Sequence, residues 1–174
     1  LADVAGGSRV VVVMGVSASG KSTVGARLAH RLGVPFLEGD DLHSAANRAK
    51  MASGRPLDDD DRRAWLAALT EWIRAAAANG GGVAACSSLK RAYRDQFRAT
   101  GADVWFLYLA LDPVVAMERI TRRTGHFMPP ELLGSQYATL DPLQADEPGV
   151  TVDASGGPEQ VMARALRAVC GPDR

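Results

Sequence analysis

The sequence predicts an α/β fold, a mainly parallel five-stranded sheet with helices on both faces. Three observations predict it. Short apolar runs rich in β-branched residues alternate with helical stretches along the chain, the order from which parallel sheets are built. The runs RVVVVM (9–14) and VWFLYLAL (104–111) are continuous rather than alternating, as strands buried on both faces are. A glycine-rich turn joins the first of them directly to a helix.

Each element has its own signals. After the strand at Arg9 to Met14, a helix runs from Lys21 to about Leu32 and ends at Gly33 and Pro35. Phe36 and Leu37 start a short second strand that stops at Glu38-Gly39-Asp40. Asp41 is expected to cap a helix running through Met51, which Gly54-Arg55-Pro56 breaks. The next helix opens in the acidic run Asp58 to Asp61, where negative charge suits the positive helix end. It continues through Trp65, Leu66, Leu69, Trp72 and Ile73 to the glycines at 80–82. Val83 to Cys86 is a third strand, followed by a helix over Arg91 to Arg98 and a fourth strand over Val104 to Leu111. Asp112-Pro113 opens another helix with proline in its first turn. Residues 125–149 carry Gly and Pro around a modest helix near Glu131 to Thr139, and are expected to be a mobile excursion. Val150 to Val152 is the last strand and Pro158 to Val169 the closing helix.

Composition narrows the class. A chain of 174 residues suits a single domain, 1–174. Hydrophobic and charged fractions of 47% and 23% argue against long-range disorder. No apolar run approaches the roughly 20 residues of a membrane span. Twenty basic residues balance twenty acidic ones, so no nucleic-acid footprint is expected. The opening LADVAGGS lacks the features of a signal peptide, and Cys86 and Cys170 form no ligand or disulfide pattern. A reducing cytoplasm is the expected location. Seventeen of the basic residues are Arg, and the three Lys are Lys21, Lys50 and Lys90.

The strongest motif is Gly15-Val16-Ser17-Ala18-Ser19-Gly20-Lys21-Ser22, which fits G-x-x-x-x-G-K-[ST] between a buried strand and a helix. Its backbone N–H groups and helix dipole can cradle phosphates, Lys21 can reach the β- and γ-phosphates, and Ser22 can ligate Mg²⁺. The loop is expected to bind a nucleoside triphosphate. Ala18 stands where such loops most often carry glycine, so an ordinary negative φ is expected there. The guanine-reading N-K-x-D motif is absent, which disfavours a GTPase switch. Glu38 and Asp40, at i and i+2 at the carboxyl end of the second strand, point the same way. Paired carboxylates there can hold hydrated Mg²⁺ and orient or deprotonate an attacking hydroxyl.

Four blocks resemble the gluconate kinases. Phe36-Leu37-Glu38-Gly39-Asp40-Asp41-Leu42-His43 resembles their F-L-[DE]-G-D-x-L-H stretch. Lys50-Met51-Ala52-Ser53-Gly54-Arg55-Pro56-Leu57 continues into Asp59-Asp60-Asp61-Arg62 and Trp65-Leu66. Cys86-Ser87-Ser88-Leu89-Lys90 precedes Tyr93-Arg94-Asp95. Arg119 and Arg123 precede Gly125-His126-Phe127, Leu133, Ser135-Gln136 and Thr139-Leu140. The blocks run in order over roughly 9–170, and all three lysines fall inside matched segments.

The resemblance implies an ATP-dependent kinase for the 6-hydroxyl of D-gluconate, with ATP and Mg²⁺ as cofactors. It implies the P-loop NTPase fold in its nucleoside-monophosphate-kinase-like form, shared with shikimate kinase, with a lid at about 125–149. Lys21, Asp40 and Arg123 would be catalytic, with Asp40 contacting the substrate hydroxyl as base. ATP would be held by Gly15, Ser17, Ala18, Ser19, Gly20, Lys21, Ser22, Thr23, Arg119 and the loop from Ala154 to Pro158. Ser22 and Glu38 would serve the metal. Asp40, His43, Lys50, Arg55, Lys90, Arg94 and His126 would line the gluconate pocket. One of Arg119 and Arg123 would stack near adenine, and the other would reach the transferring phosphate. Blander roles are a solvated helix face for these two arginines, helix capping for His43 and lid packing for His126. The Asp58 to Asp61 run reads as a capping cluster. The lid is expected open or poorly ordered without ligands, and closed with them. The Trp65, Leu69 and Trp72 set reads as core or interface rather than a site; a homodimer is implied, for which the Trp-bearing helix could supply an apolar face, and no nucleic acid or membrane is. The rivals are a kinase for another hydroxy acid, such as shikimate, and a non-catalytic ATP-binding module.

Overall fold

Val10–Met14 forms β1, the middle strand of a five-stranded sheet, and its side-chain alternation creates two cores. The computed structural model describes residues 8–123 and 129–171. Val11 and Val13 face α1 (Lys21–Leu32), α5 (Pro113–Arg122) and α7 (Pro158–Cys170). Val10, Val12 and Met14 face α3 (Asp59–Ala78) and α4 (Arg91–Arg98). Successive residues of a strand point to opposite faces, so one five-residue run anchors both helical layers. The remaining strands are β2 (Phe36–Glu38), β3 (Gly82–Ala85), β4 (Val104–Ala110) and β5 (Gly149–Asp153), in the order β2-β3-β1-β4-β5 with every pairing parallel. From β1 the chain crosses to the edge strand β2, returns to place β3 between them, and then builds outward on the other side through β4 and β5. Ligands bind such sheets at the carboxyl ends of the strands, beside that reversal. Among the described residues no helix is long and apolar enough to cross a membrane.

The expected elements are present, with two differences. Asp41 does not cap a helix. Residues Gly39–Leu42 form a 3₁₀ turn, and α2 (Ala45–Ala52) starts later, capped by Ser44, whose Oγ accepts from the Asn47 N–H at 3.1 Å. The delay comes from Gly39. A Cβ there would lie 2.5 Å from the Ala85 carbonyl oxygen, and its own carbonyl accepts from Trp65 Nε1 at 2.8 Å. The chain thus stays pinned to β3 and α3 for a further turn.

Of the two roles expected for the tryptophan face of α3, core and interface, the structure shows core. Trp65, Leu66, Leu69 and Ile73 are buried, and Trp72 packs against the backbone at Gly82. The acidic run before them is a capping box. Asp58 accepts from the Asp61 N–H, and Asp61 accepts in return from the Asp58 N–H.

Much of 129–149 is docked on the body rather than extended from it. Helix α6 (Glu131–Thr139) buries Leu132 and Leu133, and the Asp141 N–H donates to the Leu89 carbonyl at 2.7 Å. Arg94 and Glu147, both with side chains 0% exposed, form a two-bond pair at 2.7 and 2.8 Å. Arg94 also donates to the carbonyls of Ser88 and Asp141. Burial alone would push the Glu147 carboxyl up, but the bonds from Arg94 and the Gln144 N–H hold it below the usual range. Because its folded pKa is depressed, its contribution to stability is full above the unfolded value of 4.5 and is lost as pH falls through the folded one. Replacing Glu147 by Ala leaves a buried guanidinium uncompensated, so a loss of about 3–5 kcal/mol in urea unfolding is expected. A loss under about 1 kcal/mol would show that solvent screens the pair.

Candidate active site

The phosphate loop leaves β1 at Gly15, where φ is +147° and a Cβ would sit 2.7 Å from the Leu109 carbonyl oxygen. Glycine is required there. Ala18 contradicts expectation, since its φ is +69°, in the left-handed region. The turn needs that conformation at this point, and an L residue in it costs about 1–2 kcal/mol. Burial of the Ala18 methyl in the α1 core offsets part of the cost. Gly20, at φ +95°, ends the loop as the N-cap of α1. Lys21 folds back to donate to the Val16 carbonyl at 2.9 Å, so its ammonium closes the ring of backbone donors.

Sequence-distant groups converge on this loop. The Ser22 hydroxyl donates to the Glu38 carboxylate, bringing together the two residues expected to serve a metal. Asp40 and Arg123 line the same cleft as Lys21 and Ser22. Burial draws the Lys21 pKa down, with Asp40, then Cys86 and Glu38, pulling it back up and Arg123 adding to the fall. Burial pushes the Cys86 thiol up to about 12, so it is no nucleophile at neutral pH. From α6, Gln136 reaches across to accept the Ser17 N–H on Oε1 at 2.6 Å. Its amide oxygen rests where a loop donor is available to a phosphate oxygen.

A second cleft opens behind Gly20 and Thr23, toward Gly156 and Pro158. Arg119 builds one wall, donating to the carbonyls of Ala18, Ala154 and Gly156 at 3.1, 2.7 and 2.9 Å. Ala154 itself is fully buried and acts through its carbonyl. Ser19 Oγ, buried beside this cleft, has no hydrogen-bond partner among the described residues. Arg119→Met removes three bonds that shape the nucleotide cleft. An increase in the ATP KM of about tenfold or more is expected, with a smaller change in kcat. An unchanged KM would mean that the loops hold their form unaided.

The third cleft shares Asp40, Ser87 and Gln136 with the first and is otherwise lined by His43, Arg62 and Trp65 among others. His43 stacks on Trp65 at 4.5 Å and 11°. Burial draws its pKa below the usual value; Asp40 opposes this, and Arg48 and Arg62 add to it. Its Nδ1 is buried and has no hydrogen-bond partner among the described residues.

Four expected pocket residues are not among the side chains lining this cleft. Lys50 pairs with Asp61 at 2.5 Å and Lys90 with Asp59 at 2.8 Å, so the capping run of α3 takes up both lysines. Arg55 donates to Ser53 Oγ at 3.0 Å, and Arg94 is the buried partner of Glu147. His126 lies outside the described residues. Conversely, Arg62, Ser87 and Gln136 line the clefts without having been singled out. All three belong to the matched blocks, but nothing local distinguishes a wall residue from its neighbours.

A protein-family model described as an AAA domain matches residues 10–143. The chain is 45% identical over 160 residues to a gluconokinase of Gluconobacter oxydans, covering 91% of this chain and 90% of that one. A solved sugar kinase from Janibacter sp. shares 46% identity at a TM-score of 0.84, over 92% of this chain and 94% of that one. A gluconokinase structure from Sinorhizobium meliloti shares 41% identity at a TM-score of 0.82, over 97% and 93%. Similarity of this extent, running through the phosphate loop and both ends of the sheet, makes the chain a member of the gluconokinase family of P-loop kinases.

Proposed function

We propose that this protein transfers the γ-phosphoryl group of ATP to the 6-hydroxyl of D-gluconate, giving 6-phospho-D-gluconate and ADP. The observation that carries this reading is the placement of Asp40 on the wall common to the phosphate cleft and the acceptor cleft. From there the carboxylate can accept a hydrogen bond from the acceptor hydroxyl. It takes the proton as the new O–P bond forms, while the bond from the γ-phosphorus to the β–γ bridging oxygen breaks and its electron pair leaves with ADP. Lys21 and the loop N–H groups hold the phosphates, and Arg123, at the end of α5, offsets negative charge on the transferring group.

The Ser22 hydroxyl and Glu38 carboxylate fit Mg²⁺, a hard cation bound through few protein oxygens alongside phosphates and water. When bound, it would neutralise charge on the β- and γ-phosphates. Docked α6 helps cover the cleft, which favours sugar-acid phosphorylation over ATP hydrolysis. Two free thiols suit a reducing cytoplasm. With the α3 tryptophans spent on the core, Val114 and Met117 on α5, 67% and 40% exposed, are the surface offered for a homodimer. Light scattering on the purified protein checks that state.

The decisive experiment is a coupled ADP-release assay with Mg·ATP across a panel of sugar acids and shikimate. Gluconate is expected to stimulate release most strongly and to gain its phosphate at C6, read by ³¹P and ¹³C NMR. Preference for shikimate would favour the other hydroxy-acid reading. Tight ATP binding with no acceptor-stimulated release would leave a non-catalytic module.

A further inference from the structure

We infer that Arg62 binds the carboxylate of the acceptor and so sets the preference of the third cleft for an acid over the matching neutral molecule, a step that rests on the proposed kinase reading. Among the described residues Arg62 is the one lysine or arginine lining that cleft. Most of the basic residues around it are ion-paired, and Arg55, which donates to Ser53 Oγ, is not among the residues lining the cleft. Lys50 is paired with Asp61, Lys90 with Asp59, Arg63 with Asp60 and Arg48 with Asp41. Arg62 follows four consecutive aspartates, yet it forms no ion pair among the described residues.

Its guanidinium is held by an aromatic residue. Nη1 donates to Tyr93 Oη at 3.1 Å, and the guanidinium carbon lies 5.7 Å from the centre of the Tyr93 ring. Tyr93 Oη in turn donates to Asp59 at 2.6 Å. The fork is therefore oriented while its charge is left for something else. A half-buried guanidinium facing a cleft also walled by Met51, Leu57, Leu89 and Leu132 is poorly solvated. Two parallel N–H donors match a carboxylate, and the apolar surroundings strengthen the bond. Asp40 stands on the wall shared with the phosphate cleft. An acceptor with an acid group and a reacting hydroxyl at opposite ends can thus be read at both ends.

The test compares gluconate with D-gluconamide, its uncharged analogue. Wild type is expected to favour gluconate in kcat/KM by on the order of 10²-fold. Arg62→Gln should raise the gluconate KM by a similar factor, keep kcat within a few-fold, and leave gluconamide nearly unchanged, so that the preference collapses. Arg62→Lys, which keeps the charge but loses the fork, should retain a reduced preference for the acid. It also serves as the test variant if the Gln form does not fold. Calorimetric binding of both compounds with a non-hydrolysable ATP analogue gives the same ratio without turnover. A ratio unchanged by Arg62→Gln, or both compounds weakened equally, overturns the inference while leaving gluconate phosphorylation intact. Wild-type turnover with neither compound tells instead against the kinase reading, and the binding ratio still judges Arg62.

Discussion

Replacing Lys21 by Met is expected to reduce kcat by at least about 10²-fold, the usual cost of removing one preorganised charge from a transferring group. The Lys21 ammonium lies against the Val16 carbonyl, inside the curve of the loop, in the cleft that also holds Asp40 and Arg123. Burial lowers its pKa, so the ammonium is partly desolvated before any ligand arrives. A charge held in that way acts strongly on phosphate oxygens, because little solvent has to reorganise. Arginine should not substitute, since the space inside the loop suits a compact ammonium rather than a planar fork. Steady-state kinetics of K21M and K21R, with melting temperatures to establish folding, check both statements. Activity of K21M within tenfold of wild type would remove Lys21 from the transfer step.

Asp40→Asn should lower kcat by about 10²–10⁴-fold, the range for loss of a positioned general base. ATP binding should survive, because the phosphate loop does not depend on this side chain for its form. Asparagine keeps the shape but cannot take a proton. It also removes the leading charge that holds up the Lys21 pKa, so that pKa should fall further. Fluorescent-nucleotide binding beside turnover separates the two effects. A variant that loses ATP affinity and rate together would assign Asp40 to nucleotide binding, and one that keeps its rate would leave the base unidentified.

The elements and the phosphate loop were legible because their signals are local. A continuous β-branched run, a glycine turn and a Lys-Ser at a helix start are determined by neighbours in the chain. The α3 capping box was legible for the same reason, since Asp58 and Asp61 satisfy backbone groups within one turn. Even there, local reasoning erred where distant chain intruded. Helix α2 began late because Gly39 is pressed against Ala85 and held by Trp65, and Ala18 took a left-handed backbone that its own identity disfavours.

By itself, then, the sequence determined the order of strands and helices, the loop that curls around phosphate and the carboxylates at the end of β2. Only the tertiary structure decided which partner each charge meets. Lys50, Lys90 and Arg94 carry charge suited to an anion, but each meets a carboxylate of its own chain. Arg62 sits among the aspartates and meets none at ion-pairing distance among the described residues, and Gln136 meets a loop 119 residues away. The physical reason is the range of the forces. Backbone conformation is set by neighbouring residues, whereas an ion pair needs a few ångströms of proximity that only packing of the α3, α4 and α6 layers supplies.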